Sequence, residues 1–155
     1  MFNGQTIDLA GFNVTGIAVR TTNQGGQSTK DIGALWVRFM SQNYIEQIPD
    51  KETTDIYCVY TDYESDLNGP YTAIIGCKVR SLENIPQGFI STTIPATTYA
   101  VFTSEGKIPE SIAATWRLIW QSDINRKYMA DFDVYSEKAR NPEDAIVETF
   151  ISISS

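Results

Sequence analysis

Two stretches of this chain carry apolar residues at the spacing of one helix face, and they do so eighty positions apart. Residues 31–40 read DIGALWVRFM and residues 111–120 read SIAATWRLIW. Ile32, Leu35, Trp36 and Phe39 fall at i, i+3, i+4 and i+7, as do Ile112, Thr115, Trp116 and Ile119. That periodicity predicts two amphipathic helices with a tryptophan at the same place. Ser28 or Thr29 is expected to cap the first helix, and Pro109 with Glu110 to open the second.

Shorter runs rich in β-branched and aromatic residues flank each helix in the same order. Residues 12–21 precede the first helix, and 55–60 and 71–79 follow it. Residues 97–103 precede the second, and 131–135 and 145–153 follow it. Each run ends at Gly, Pro, Asn or Asp, which predicts strands. The expected fold is therefore α+β, with strand–helix–strand–strand occurring twice, over about 10–80 and 89–155 of a single domain spanning 1–155. Residues 81–94, punctuated by Pro86 and Gly88, form the joint. Two such units bury their faces by pairing about a pseudo-twofold axis, with one antiparallel sheet and both long helices on one side of it. A groove between the helices follows. Trp36 and Trp116 face it or serve as core.

Composition narrows the chemistry. The 155 residues are 42 % hydrophobic and 20 % charged, the balance of an ordinary globular chain. The net charge of −7 without a basic cluster argues against nucleic acid and anionic membranes and is compatible with cationic ligands. No apolar run is long enough to span a bilayer, so the expected location is cytoplasmic, with Cys58 and Cys77 as free thiols inside strands. Histidine is absent, which removes Ser-His, Cys-His and His-metal sites, and no Gly-rich phosphate loop follows a strand. No cofactor, metal or catalytic residue is expected.

The run from Val59 to Asp66 (VYTDYESD), then Gly69-Pro70-Tyr71-Thr72-Ala73 and Pro86 with Gly88, resembles the effector-binding domains of gyrase-inhibitor-like and AraC-type proteins. The second half agrees through Tyr99-Ala100-Val101-Phe102, Gly106, Pro109, Trp116, Asp131-Phe132-Asp133-Val134-Tyr135 and Val147 to Ile151. The resemblance implies a ligand pocket where the halves meet, used by regulators to sense lipophilic, often cationic compounds. The family places a glutamate on the second strand of the second half, and Asp133 stands at that position here, one methylene shorter.

The candidate ligand-binding set is Trp36, Cys58, Tyr60, Tyr71, Trp116, Trp120, Asp133 and Tyr135, with Glu148 and Glu64 as weaker acids. Strand alternation alone leaves Asp133 open: it shares a face with Asp131 and Tyr135, opposite Phe132 and Val134. The expected function is binding of a small lipophilic cation, with no direct nucleic-acid contact, since related regulators carry a helix-turn-helix reader ahead of this domain and this chain begins near its first strand. Two alternatives stand beside it. One is a small hydrolase using Asp133 with Tyr60 or Tyr135. The other is a protein partner, as for an inhibitor of a DNA enzyme.

Overall fold

The computed structural model describes residues 5–66 and 68–154; residues 1–4, 67 and 155 of the expected domain lie outside the described residues. Eight strands and two helices follow one another as β1 (Gln5–Leu9), β2 (Phe12–Thr22), α1 (Gln27–Ser41), β3 (Ile56–Thr61), β4 (Pro70–Val79), β5 (Ile90–Ile94), β6 (Thr97–Gly106), α2 (Glu110–Gln121), β7 (Ala130–Tyr135) and β8 (Ala145–Ile153). Both helices and all six expected strands are present, which makes the chain the α+β fold that the repeat predicts.

Two strands were not expected. β1 lies before the first repeat and β5 lies inside the joint, so each unit is strand–strand–helix–strand–strand. β1 is five residues of mixed polarity, mostly exposed, and β5 carries Ser-Thr-Thr at its centre, so neither has an apolar run to announce it. Backbone pairing makes them. β1 pairs with β6 of the second unit, and β5 pairs with β2 of the first, so the units exchange their leading strands.

The single sheet runs β1-β6-β8-β7-β3-β4-β2-β5, and all its pairings are antiparallel. Exchanging β1 with β5, β2 with β6, β3 with β7 and β4 with β8 returns the same order, which is the pseudo-twofold. The halves join at β3 and β7, where Cys58 opposes Asp133, Tyr60 opposes Asp131 and Ile56 opposes Tyr135. Residues 75 apart are equivalent here, so Cys58 and Asp133 sit on the axis as each other's counterparts.

The first helix departs from its expected start. Gly25 and Gly26 take left-handed backbone with φ of 60° and 74°, and Gly26, not Ser28 or Thr29, is the N-cap. A glycine pair accepts that conformation without a Cβ clash, so the helix is already under way at Gln27 and the two hydroxyls fall inside its first turn. The second helix opens at Pro109 and Glu110 as expected. On the other side of α1, Gly16 of β2 opposes Gly76 of β4. A Cβ on either would lie 2.1 Å from a backbone oxygen of the facing strand, so only glycine allows this approach.

Both sheet faces are buried. On one, Leu35 and Phe39 of α1 pack against Ile17, Cys58, Ile75 and Cys77, and α2 joins that face through a Ser104–Thr115 hydroxyl bond of 2.6 Å. The opposite face has no helix and is filled by Val59, Ile74, Tyr99, Phe132 and Phe150, with the last two rings stacked 4.8 Å apart. It is covered because the sheet curls. The registers of β1 on β6 and of β2 on β5 form one unbroken antiparallel alignment, Gln5↔Val101 through Gly16↔Ile90, which draws the two edges together. That curl resolves the alternation on β7: Phe132 and Val134 point into the curl, and Asp131 and Asp133 point under the helices, both fully buried.

Candidate functional site

The helix-covered face holds a cavity of about 500 Å³ between α1 and α2, above the seam of the halves. Ile32, Gly33 and Trp36 of α1 face Ile112, Trp116 and Trp120 of α2 across it, and Tyr60, Tyr71 and Tyr135 form its floor. Volume and lining are those of a small-molecule site.

The walls are built from interlocked rings. Trp116 meets Tyr60 edge to face at 5.1 Å, and Trp36 meets Tyr135 likewise at 4.8 Å. These are the same contact made twice: each pairs the helix of one half with the seam strand of the other. Tyr60 also packs on Tyr71 at 6.1 Å, and Tyr71 donates from its hydroxyl to Asn23 Oδ1 at 2.7 Å. Trp120 extends the wall outward from Trp116 at 6.3 Å and is 40 % exposed. Six of the eight candidate residues, Trp36, Tyr60, Tyr71, Trp116, Trp120 and Tyr135, therefore line one cavity.

Asp133 and Cys58 lie one layer beneath it, outside the lining. Asp133 is fully buried and accepts hydrogen bonds from the Tyr60 hydroxyl at 2.5 Å and from Thr149 Oγ1. Burial pushes its carboxyl up to about 6, and the bonds from Thr149 and Tyr60 hold it from rising further. The Trp116 indole also favours the charged carboxylate, although its buried Nε1 is outside hydrogen-bonding geometry with any partner among the described residues. Burial first, then Asp133, pushes the Tyr60 phenol well above its usual range, so Tyr60 stays a donor. The same two causes push the Cys58 thiol far up, which leaves it a buried apolar group and no nucleophile. Glu148 and Glu64 are exposed and are not part of the cavity lining.

Three residues join the site that sequence reasoning did not select. Asp131, also fully buried, pairs with Arg126 at 2.8 Å, and accepts from the Tyr63 hydroxyl at 2.6 Å and the Ser152 amide at 2.8 Å. The Arg126 guanidinium lies over the Tyr128 ring at 4.3 Å and reaches the Trp116 ring at 5.9 Å, and both Arg126 and Tyr63 line the cavity. The alternation of β7 placed Asp131 on the Asp133 face. Nothing in the loop sequence marked Arg126 as its partner. Among the described residues no cation partners Asp133.

Residues 7–153 match the family model Cass2, integron-associated effector binding protein. A Bacillus subtilis protein named as a transcriptional regulator, YobU, is 32 % identical over 152 residues, covering 95 % of this chain and 94 % of that one. Transcriptional regulator BrlR of Pseudomonas aeruginosa is 30 % identical over 117 residues, which are 73 % of this chain and 42 % of BrlR. Among solved structures, the Vibrio cholerae integron cassette protein VCH_CASS2 is 28 % identical with a TM-score of 0.75 over 99 % of this chain and 97 % of that one. SAV2435, solved bound to tetraphenylphosphonium, shares the fold with a TM-score of 0.80 at 18 % identity, over 99 % and 95 % of the two chains.

Proposed function

The chain belongs to the integron-associated effector-binding family, within the gyrase-inhibitor-like domains, and from that premise we propose that its inter-helix cavity binds a compact lipophilic cation. One observation carries the reading: a fully buried carboxylate, without a cationic partner among the described residues, lies directly under an aromatic wall. A charge held there is costly to the empty protein and becomes favourable when a ligand brings the opposite charge. Asp133 acts through Tyr60. The phenol donates to the carboxylate, which enriches its ring in electron density, and the ring then attracts a cation more strongly than an unbonded tyrosine does. Trp116 and Trp36 add further ring faces and edges at the same cavity.

The asymmetry of charge supports a monocation. Arg126 already matches Asp131, and the other lining cation, Arg117, is exposed, so Asp133 is left as a buried carboxylate with no cationic partner among the described residues. The tetraphenylphosphonium in SAV2435, a lipophilic ion with a single positive charge, is a ligand of that class on the same fold. Among the described residues no helix is long and apolar enough to cross a membrane. A hydrolytic role draws less support. The Tyr60–Asp133 pair has acid–base geometry, but Asp133 lies outside the cavity lining and the adjacent thiol of Cys58 is held protonated.

Calorimetric titration with the phenyltrimethylammonium ion and its neutral isostere tert-butylbenzene tests the reading. Cation–ring attraction of about 0.5 to 2 kcal/mol per face, together with the buried charge, sets an expected preference of at least tenfold for the ion. Equal affinity would reduce the site to a lipophilic pocket.

A further inference from the structure

The groove between the helices does not end at the cavity above. A second cavity of about 920 Å³ opens at its other end. Gly33, Trp36, Pro109, Ile112 and Tyr135 line both, so the two share one wall. They are counterparts under the pseudo-twofold. The first lies between the start of α1 and the end of α2, and the second between the end of α1 and the start of α2. Trp120 closes the first where Met40, eighty positions earlier, closes the second.

The chemistry of the two ends differs. At the position equivalent to the buried Asp131, the second cavity has Ile56, and Ile45, Ile108 and Ile112 extend the apolar surface. Its lining charges balance, half-buried Asp55 and exposed Glu137 against exposed Lys138 and Arg140. The shared wall has room: a Cβ at Gly33 would meet no atom within 4 Å, in a helix interior where glycine is less favourable than alanine. Packing does not require glycine there, and its missing side chain widens the groove at the crossing.

Resting on the cation reading of the first cavity, we infer that the groove is a two-part site for an amphiphilic cation, whose charged head sits over Tyr60 and Trp116 and whose apolar tail passes Gly33 and the Trp36–Tyr135 pair into the second cavity. Head and tail are read at different ends of the groove, each lined by residues of both halves. The first end supplies the buried carboxylate that has no ion-pair partner among the described residues, and the second supplies apolar area over no fully buried charge.

The test is titration of the full chain with n-alkyltrimethylammonium ions from butyl to dodecyl below their micelle-forming concentrations, alongside n-alkanols of the same lengths. Affinity for the ions is expected to keep rising as the tail outgrows the first cavity, by up to about fourfold for each fully buried methylene. Ala139→Trp fills the second cavity from a half-buried site on a short 3-10 turn, and Met40→Gln makes its exposed margin polar. Ala139→Trp is expected to weaken the dodecyl ion at least tenfold and the butyl ion little, and Met40→Gln to move the same way by less, with thermal unfolding showing that both variants fold. Affinity that levels off at short tails, or a chain-length series unchanged in both folded variants, overturns the inference. Failure of the cation reading looks different: alkanols would then bind as tightly as the ions, while a tail increment lost in Ala139→Trp would still uphold a continuous groove.

Discussion

The halves of this molecule agree in their rings and disagree in their charges. Trp36 on Tyr135 repeats Trp116 on Tyr60, nearly the same contact in distance and angle. At the two seam positions between them, the first half has Ile56 and Cys58 where the second has Asp131 and Asp133. The aromatic scaffold is thus doubled, and the acid pair occurs once. Symmetry serves the packing of helices on sheet, which both halves need equally. Departure from it puts both buried acids on the seam strand of one half, hydrogen-bonded to Tyr60 and Tyr63 of the first cavity.

Breaking the ion pair of Arg126 and Asp131 is expected to have the largest effect. Arg126→Met removes the cation from Asp131, and both side chains are buried, at 6 % and 0 % exposure. An uncompensated buried charge costs about 3–5 kcal/mol, and the Tyr63 and Ser152 bonds to Asp131 hold the loss toward the low end. The counterpart position shows the contrast: Ile56→Val should cost only about 0.5–1.5 kcal/mol. Denaturant unfolding measures both.

The other acid sharpens the comparison through pH. Asp133 titrates at about 6 when folded and near 3.9 when unfolded, so between those values the folded chain holds the proton and the unfolded chain does not. Its contribution to stability is therefore greatest below about pH 4 and falls as pH rises through about 6, by on the order of 3 kcal/mol. Affinity for a cation should move the other way and rise through the same window as the carboxylate ionises. Thermal unfolding and titration across pH 4–8 in the native chain and Asp133→Asn check both signs, and both slopes should flatten in the variant. At neutral pH, Asp133→Asn is expected to lose about 2 kcal/mol of affinity for phenyltrimethylammonium while the empty protein stays level or gains stability. A loss shared by tert-butylbenzene would instead mean that the cavity had changed shape.

The smallest effect separates the two tryptophans. Trp116→Leu should weaken a compact cation by about 1 kcal/mol, because Trp116 abuts the Tyr60–Asp133 pair. Trp36→Leu should cost that ion less, since its partner Tyr135 makes no hydrogen bond to either buried acid among the described residues. Equal losses would place the ion midway along the groove.

The helices and inner strands were legible because each buries a periodic apolar face. The six lining residues were legible for the same reason, as aromatics at repeat-related positions. β1 and β5 were not, because a strand held by backbone pairing at a sheet edge needs no apolar alternation. The depth of Asp133 was illegible for a related reason: alternation gives the face of a residue, and only the curl of the whole sheet decides that both faces are dry. Arg126 escaped because a loop cation five residues before its acid looks like any solvated charge.

The exchanged strands bear on how such a chain can be taken apart. Each half lends the other an edge, so neither owns a complete sheet. A lone half would carry one vacant strand slot and one strand without a slot, and two copies of it could satisfy each other in the arrangement seen here. The tether through residues 81–89 then holds the halves at high effective concentration and contributes no essential pairing, so the molecule has the topology of a fused dimer.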